Sequence, residues 1–176
     1  LQSAIPTRQK FSPEQMLLLP DALQGALKRA KELQASLLLA PEGTLPLDQK
    51  LLSPAPLPLL SGGFRWVRGR QRSSLLVINE GDRSPSLALD KHRLVPLGEW
   101  MPSFGGLSID GLSAFGGLQA GTPSRLLDWS GPFAAVAICY ELTDGSAMAE
   151  AVSNGAKWII AIANLDPYPL LLQKQY

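Results

Sequence analysis

The sequence predicts an α/β fold in which helices cover a buried sheet. Continuous apolar runs of strand length occur at residues 37–40, 134–139 and 158–163, which is typical of strands buried on both faces. Other segments, before and between these runs, carry helical periodicity or helix start and stop signals. Alternation of strand and helix along one chain is typical of a layered fold.

The first helix is predicted to start at Ser12 and to run to about Gln34. Ser12, Pro13 and Gln15 suit the N-cap, N1 and N3 positions of a helix. Apolar residues then recur at three- and four-residue steps, at Leu23, Ala26, Leu27, Ala30 and Leu33. This spacing predicts an amphipathic helix whose apolar face covers the sheet. The strand at 37–40 follows, and Glu42 lies just past its end.

The middle of the chain is predicted to form a hairpin and a short third strand. Residues 57–67 and 71–79 are the two hairpin strands, and residues 86–90 form the third. Four arginines lie in the hairpin, at Arg65, Arg68, Arg70 and Arg72. Because the net charge is only +1, we interpret them as a solvated face rather than a nucleic-acid surface.

The last third of the chain alternates strands with one helix. Strands are predicted at 126–129, 133–139 and 158–164, with a helix at 144–154 between the last two. A further helix is predicted from Leu170 onwards, and residues 104–121 form a long glycine-rich irregular segment.

Composition excludes several classes of protein. One cysteine and one histidine rule out an internal disulfide, a cysteine-based zinc cluster and a multi-histidine metal site in these 176 residues. No apolar run approaches the roughly 18 residues of a membrane-spanning helix. The length suits one ordinary domain with a real core.

Three residues that could share one reaction each follow a predicted strand. They are Glu42, Lys91 and Cys139, and ligands of layered α/β folds gather at the carboxyl ends of strands. A carboxylate can take the thiol proton, a thiolate can attack a carbonyl, and an ammonium can stabilise the oxyanion. Each of the three also has a non-catalytic interpretation. A lone cysteine is usually a buried packing residue, and a lone charged side chain is usually solvated.

The sequences around these residues resemble the apolipoprotein N-acyltransferases of the nitrilase, or carbon–nitrogen hydrolase, superfamily. The similar segments are residues 39–44 (Leu-Ala-Pro-Glu-Gly-Thr), 90–102 (Asp-Lys-His-Arg-Leu-Val-Pro-Leu-Gly-Glu-Trp-Met-Pro) and 138–141 (Ile-Cys-Tyr-Glu). The resemblance implies that Glu42 is the general base, Lys91 the oxyanion stabiliser and Cys139 the nucleophile. It also implies that Glu99, Tyr140 and Glu141 support the active site.

The same resemblance implies a fold, a reaction and a location. We expect a nitrilase-like α-β-β-α sandwich that is incomplete at its C-terminal end, with residues 1–176 forming part of the catalytic domain. The expected reaction moves a fatty acyl chain from a phospholipid, through a thioester, to the α-amine of an apolipoprotein. It needs no metal or redox cofactor. The expected site is the periplasmic side of a bacterial inner membrane, with the membrane portion outside this chain.

Two alternatives stay open, and one segment departs from the family pattern. A soluble nitrilase-family amidase would use the same three residues to hydrolyse a carbon–nitrogen bond, and a catalytically dead relative would only bind. Many relatives carry Ser-Asn-Asp-Ala-Trp-Phe-Gly where residues 163–169 read Ala-Asn-Leu-Asp-Pro-Tyr-Pro. The tryptophan of that pattern is absent here.

Overall fold

The computed structural model describes residues 12–45, 48–96, 99 and 117–163. The predictions for the helix from Leu170 and for most of the glycine-rich segment lie outside these residues. The chain divides into two compact units. Of the described residues, the first unit contains 12–45, 48–63, 75–88 and 162–163, and the second contains 64–74, 89–96, 99 and 117–161.

A single long helix, α1 (Pro13–Glu32), opens the described chain, as its start signals and periodicity predict. Its core-facing positions Leu23 and Leu27 are almost fully buried, which follows from the apolar stripe. They pack in a core of the first unit with Leu59, Leu76 and Ile78. The same core contains Ala40, two residues before Glu42.

Among the described residues, four strands form the first sheet: β1 (Leu38–Ala40), β2 (Leu59–Val67), β3 (Arg70–Ile78) and β4 (Leu87–Asp90). Their order is β1-β2-β3-β4, and β1 pairs in parallel with β2, with Leu38 opposite Leu59. The predicted hairpin is therefore correct, and its turn is Arg68-Gly69, where both residues have positive φ angles of 51° and 75°.

The second sheet, in the part of the chain that the structure describes, has three strands: β5 (Leu126–Leu127), β6 (Ala134–Ile138) and β7 (Trp158–Ile162). Strand β6 lies in the middle and is wholly buried, as its continuous apolar run predicts. It leads directly into a 3₁₀ helix (Cys139–Thr143) and then into α2 (Gly145–Ser153). Asp144 caps α2, because its Oδ1 accepts a hydrogen bond from the backbone N–H of Ala147.

The interpretation of the hairpin arginines as a solvated face is wrong for two of the four. Arg65 and Arg72 both bind the buried carboxylate of Asp90, at 2.6 and 2.8 Å. Arg68 and Arg70 are exposed. The partner Asp90 follows at the end of β4, so nothing in the local charge pattern reveals the contact.

Within the part of the chain that the structure describes, no helix has both the length and the apolar character needed to cross a bilayer.

Candidate active site

Lys91 lies directly after β4, in the second unit, and its side chain is fully buried. Its backbone is held on both sides, because its N–H donates to the carbonyl of Ser73 and its own carbonyl accepts from Gly121. The ammonium Nζ lies 2.6 Å from Oε1 of Glu99. A buried ammonium is tolerated only when it is paired, so this contact explains how the charge is kept inside the protein.

Glu99 is held by contacts on both its side chain and its backbone. Its second oxygen, Oε2, accepts a hydrogen bond of 2.9 Å from the backbone N–H of Val95, four residues earlier. Its carbonyl accepts from the N–H of Leu118. These hydrogen bonds orient the carboxylate towards the Lys91 ammonium. This is a physical role for a residue that the sequence comparison identified only as an acidic position.

Asp90, one residue before Lys91, holds the end of β4 through its side chain. Its two oxygens accept hydrogen bonds from Arg65, Arg72 and the hydroxyl of Ser74, all at 2.6 to 2.8 Å. Burial alone would raise the pKa of Asp90, but these hydrogen bonds outweigh burial and lower its pKa to about 2. The carboxylate is thus ionised at neutral pH and fixes the strand end from which Lys91 projects.

Cys139 is the first residue of the 3₁₀ helix, at the sharp turn directly after β6, and its backbone is strained. Its φ angle is +54°, in the left-handed region that residues with a β-carbon rarely adopt. The side chain is partly exposed, whereas the strand before it is buried. A nucleophile at the end of a buried strand, in a sharp and strained turn, is a common arrangement in enzymes that attack carbonyls.

The strain predicts an unusual stability effect at this position. Replacing Cys139 by glycine is expected to raise the free energy of unfolding by about 1 kcal/mol relative to Cys139→Ala, because glycine adopts the left-handed conformation without penalty. Denaturant unfolding of the two variants measures this difference. The matched control is Ala137→Gly, two residues earlier in β6, where glycine should destabilise by about 1 kcal/mol. Equal stability of the two Cys139 variants would mean that the turn is relaxed.

Glu141, the third residue of the 3₁₀ helix, is buried with its carboxylate fully engaged. Its Oε1 accepts hydrogen bonds from the backbone N–H groups of His92 and Arg93, at 2.6 and 3.1 Å. Its Oε2 accepts one of 3.0 Å from the N–H of Ile138. One carboxylate therefore joins the two residues after Lys91 to the residue before Cys139.

The cation that pairs with Glu141 is Arg125, which sequence reasoning missed. Nη1 of Arg125 lies 2.8 and 2.9 Å from the two oxygens of Glu141, and both side chains are almost fully buried. Arg125 stands alone before a two-residue strand, so no motif marks it. The signal that could have found it is indirect: a buried glutamate needs a cation.

Tyr140 follows Cys139 in the chain and contacts a cation, Arg93, in the segment after Lys91. The guanidinium of Arg93 lies 5.4 Å from the centre of the Tyr140 ring, within the range of a cation–π contact. Arg93 also forms an ion pair of 3.4 Å with Asp144, the N-cap of α2. Tyr140 is thus held against the segment that follows Lys91.

Glu42 lies in the first unit, in the turn that follows β1. The N–H groups of Thr44 and Leu45 both donate to the carbonyl of Gly62 in β2, at 2.9 and 3.0 Å. A β-carbon added to Gly62 would lie 2.4 Å from Cα of Glu42. The turn therefore packs directly on a glycine backbone.

The second unit contains five of the six residues that the sequence indicated, namely Lys91, Glu99, Cys139, Tyr140 and Glu141. Lys91 with Glu99, and Glu141 with the backbone beside Lys91 and Cys139, are direct contacts. The approach of Glu42 to Lys91 and Cys139 stays a prediction. The departure at residues 164–169 lies outside the described residues.

Solved structures with similar folds identify the structural class. Nit3 of Saccharomyces cerevisiae, a member of branch 10 of the nitrilase superfamily, superposes with a TM-score of 0.64 at 14% identity over 94% of this chain and 64% of that chain. An amidase from Nesterenkonia sp. AN1 gives a TM-score of 0.60 at 14% identity over 84% of this chain and 61% of that chain. The chain thus has the α/β fold of the nitrilase superfamily, as the sequence predicts.

Curated relatives narrow the class to one family. Apolipoprotein N-acyltransferases match at 65% identity in Prochlorococcus marinus (strain MIT 9313) and at 55% in Parasynechococcus marenigrum (strain WH8102), each over 99% of this chain. Over almost its whole length the chain is therefore similar to one part of the apolipoprotein N-acyltransferases. It spans 35% and 38% of the length of these two relatives, and no protein-family profile matches it.

Proposed function

We propose that this chain is the segment of an apolipoprotein N-acyltransferase that carries its reactive thiol. The observation that carries the proposal is the fully buried Lys91 ammonium, 2.6 Å from Glu99, in the same unit as Cys139 in its strained turn. The name of the relatives at 65% identity supports the acyl acceptor, an apolipoprotein. In the similarly folded amidase, acrylamide adds to an active-site cysteine, which supports a thiol nucleophile here.

The first half-reaction would transfer the acyl chain to sulfur. Glu42 accepts the proton of the Cys139 thiol, and the thiolate attacks the ester carbonyl carbon of a phospholipid. Negative charge develops on the carbonyl oxygen, where the Lys91 ammonium stabilises it. The tetrahedral intermediate then breaks its bond to the alcohol oxygen, which takes the proton from Glu42. The products are a thioester on Cys139 and a lysophospholipid.

The second half-reaction would pass the acyl chain to nitrogen. The free α-amine of a lipid-modified N-terminal cysteine attacks the thioester carbon, and Glu42 takes the proton that the amine loses. Lys91 again stabilises the oxyanion, and the carbon–sulfur bond breaks to release the thiolate and an amide. The phospholipid donor, the apolipoprotein acceptor and the periplasmic face of the bacterial inner membrane are parts of this proposal.

The test uses the full-length protein, meaning this chain within the length of its curated relatives. The protein is incubated with a phospholipid labelled in its acyl chain, quenched in acid, and tested for label that hydroxylamine releases. The wild-type protein should carry the thioester, and Cys139→Ala should reduce labelling by roughly a thousandfold because the nucleophile is gone. Label that persists on Cys139→Ala would contradict the proposed thioester.

The acceptor is tested in the same assay. A synthetic peptide whose N-terminal cysteine carries a diacylglyceryl group should chase the label from Cys139 into an amide. Loss of label as free fatty acid, at a rate that the peptide does not change, would instead identify a hydrolase, as expected of the amidase alternative. Protein that never acquires label from any acyl donor would identify the dead relative.

A further inference from the structure

Arg125 is placed to act on the candidate active site without touching a substrate. Its guanidinium has two arms with separate partners. Nη1 binds the carboxylate of Glu141 at 2.8 and 2.9 Å, and Nη2 donates to the carbonyls of Asp90 and Thr122 at 2.8 and 2.6 Å. The Arg125 side chain is only 2% exposed, so water does not compete for these bonds.

The contacts of Arg125 connect the segment that contains Lys91 with the segment that contains Cys139. Asp90 is the residue before Lys91, and Glu141 accepts hydrogen bonds from the two residues after it. The backbone of Lys91 is therefore held from both sides by one ion pair. The same Glu141 accepts from Ile138, the residue before Cys139.

The backbone of Arg125 is fixed to the strand that presents the thiol. Its carbonyl accepts a hydrogen bond of 2.8 Å from the N–H of Val136, and the next residue, Leu126, pairs with Ala135 in the sheet. Arg125 is thus anchored to β6 by its main chain and to the end of β4 by its side chain. Because hydrogen bonds hold both the backbone and the guanidinium of Arg125, this residue fixes the end of β4 relative to β6.

We infer that Arg125 is a positioning residue that fixes the Lys91 ammonium relative to the Cys139 thiol through its ion pair with Glu141. The inference rests on the proposed function, because it assigns Lys91 and Cys139 to one reaction. The fork of arginine is required, since a lysine ammonium at this position keeps the charge but cannot bind the Glu141 carboxylate and the Asp90 carbonyl in the same geometry. The reaction slows when the Lys91 ammonium and the Cys139 thiol are no longer held in this relative position, because misplacement of about 1 Å between reacting groups costs about a hundredfold in rate.

The test compares Arg125→Lys and Arg125→Met with the wild type in the full-length protein. The rate of thioester formation at saturating phospholipid, divided by the folded fraction, should fall at least about tenfold in Arg125→Lys and about a hundredfold in Arg125→Met. The phospholipid concentration for half-maximal rate should change less than about threefold, because Arg125 does not bind the lipid. Arg125→Lys keeps the charge and serves as the decisive variant if Arg125→Met does not fold.

The matched control is Ile160→Ala, which opens a cavity in β7 of the same unit and should lower the melting temperature. Its rate per folded molecule should stay within about twofold of the wild type. If Arg125→Lys also keeps the wild-type rate per folded molecule, Arg125 acts only on stability or by its charge, and the inference is overturned.

A second readout separates this inference from the proposed function. Iodoacetamide alkylates Cys139 without any acyl donor, and mass spectrometry of the peptide that contains Cys139 gives the rate against pH. In Arg125→Lys the alkylation at pH 8 should be at least about fivefold slower, because the Lys91 ammonium no longer stabilises the thiolate. A wild-type protein that forms no thioester but shows this difference refutes the proposed function alone. Superimposable alkylation profiles refute the inference about Arg125.

Discussion

Gly62→Ala is expected to lower the free energy of unfolding by about 2 to 3 kcal/mol and to slow thioester formation about a hundredfold. The added β-carbon would lie 2.4 Å from Cα of Glu42, 2.7 Å from the carbonyl oxygen of Pro41 and 2.9 Å from the nitrogen of Glu42. All three atoms belong to the backbone, so no side chain can rotate away. The turn that carries Glu42 has to move.

Unfolding by denaturant and the labelled-phospholipid assay, corrected for the folded fraction, measure the two effects of Gly62→Ala. Gly63→Ala is the matched control, because its β-carbon would meet only side chains, Cδ1 of Leu76 at 2.8 Å and Cβ of Leu45 at 3.1 Å, and not the backbone of Glu42. It should cost stability but leave the rate per folded molecule unchanged. Gly25→Ala, in the open middle of α1, should instead stabilise by about 0.5 to 1 kcal/mol. A wild-type rate in Gly62→Ala would mean that Glu42 is not the base.

The elements that could be predicted from the sequence are those with a strong local pattern. The three- and four-residue spacing from Leu23 to Leu33 predicts α1, and the unbroken apolar run before Cys139 predicts β6. The bounds differ by only a few residues at each end, as fraying of terminal turns leads one to expect. These patterns are visible because burial acts on neighbouring residues of the chain, on one face of α1 and on both faces of β6.

The contacts that could not be predicted join residues far apart in the chain. Arg65 and Arg72 bind Asp90 across 25 and 18 residues, and an arginine in a hairpin looks the same whether solvent or a carboxylate faces it. Gly62 matters because another backbone segment passes over it, which depends on the tertiary fold. A local pattern carries no information on either partner.

Sequence motifs identify the residues of the candidate site, and the structure shows the contacts that hold several of them. Periodicity and composition alone favour an ordinary packing role for Cys139. Only the resemblance of the segments around Glu42, Lys91 and Cys139 to one family predicts that Cys139 is a nucleophile. The resemblance assigned no contact to Glu141, and Arg125 belongs to none of its segments, because their contacts run from side chain to backbone and leave no sequence signature.

Asp90→Asn is expected to lower the free energy of unfolding by about 3 kcal/mol at pH 7. The substitution keeps the size of the side chain but removes the charge that compensates Arg65 and Arg72, and loss of one partner of a buried ion pair leaves the others unpaired. The two arginines are partly exposed, so water recovers some of this loss. Asp128→Asn, on an exposed side chain of the same unit, should change stability by less than about 0.5 kcal/mol.

The dependence of this effect on pH follows from the lowered pKa of Asp90, which is about 2 in the folded protein against an ordinary value of 3.8. The ionised carboxylate contributes stability that is fully present above pH 4 to 5 and is lost as pH falls towards 2, because the unfolded chain takes up the proton first. The shift corresponds to about 2 kcal/mol. Denaturant unfolding of the wild type and Asp90→Asn should therefore differ by about 2 kcal/mol less at pH 2 than at pH 5. If the difference in unfolding free energy between the two proteins is the same at pH 2 and pH 5, Asp90 stabilises the end of β4 by its shape alone. Its charge would then make no contribution to stability.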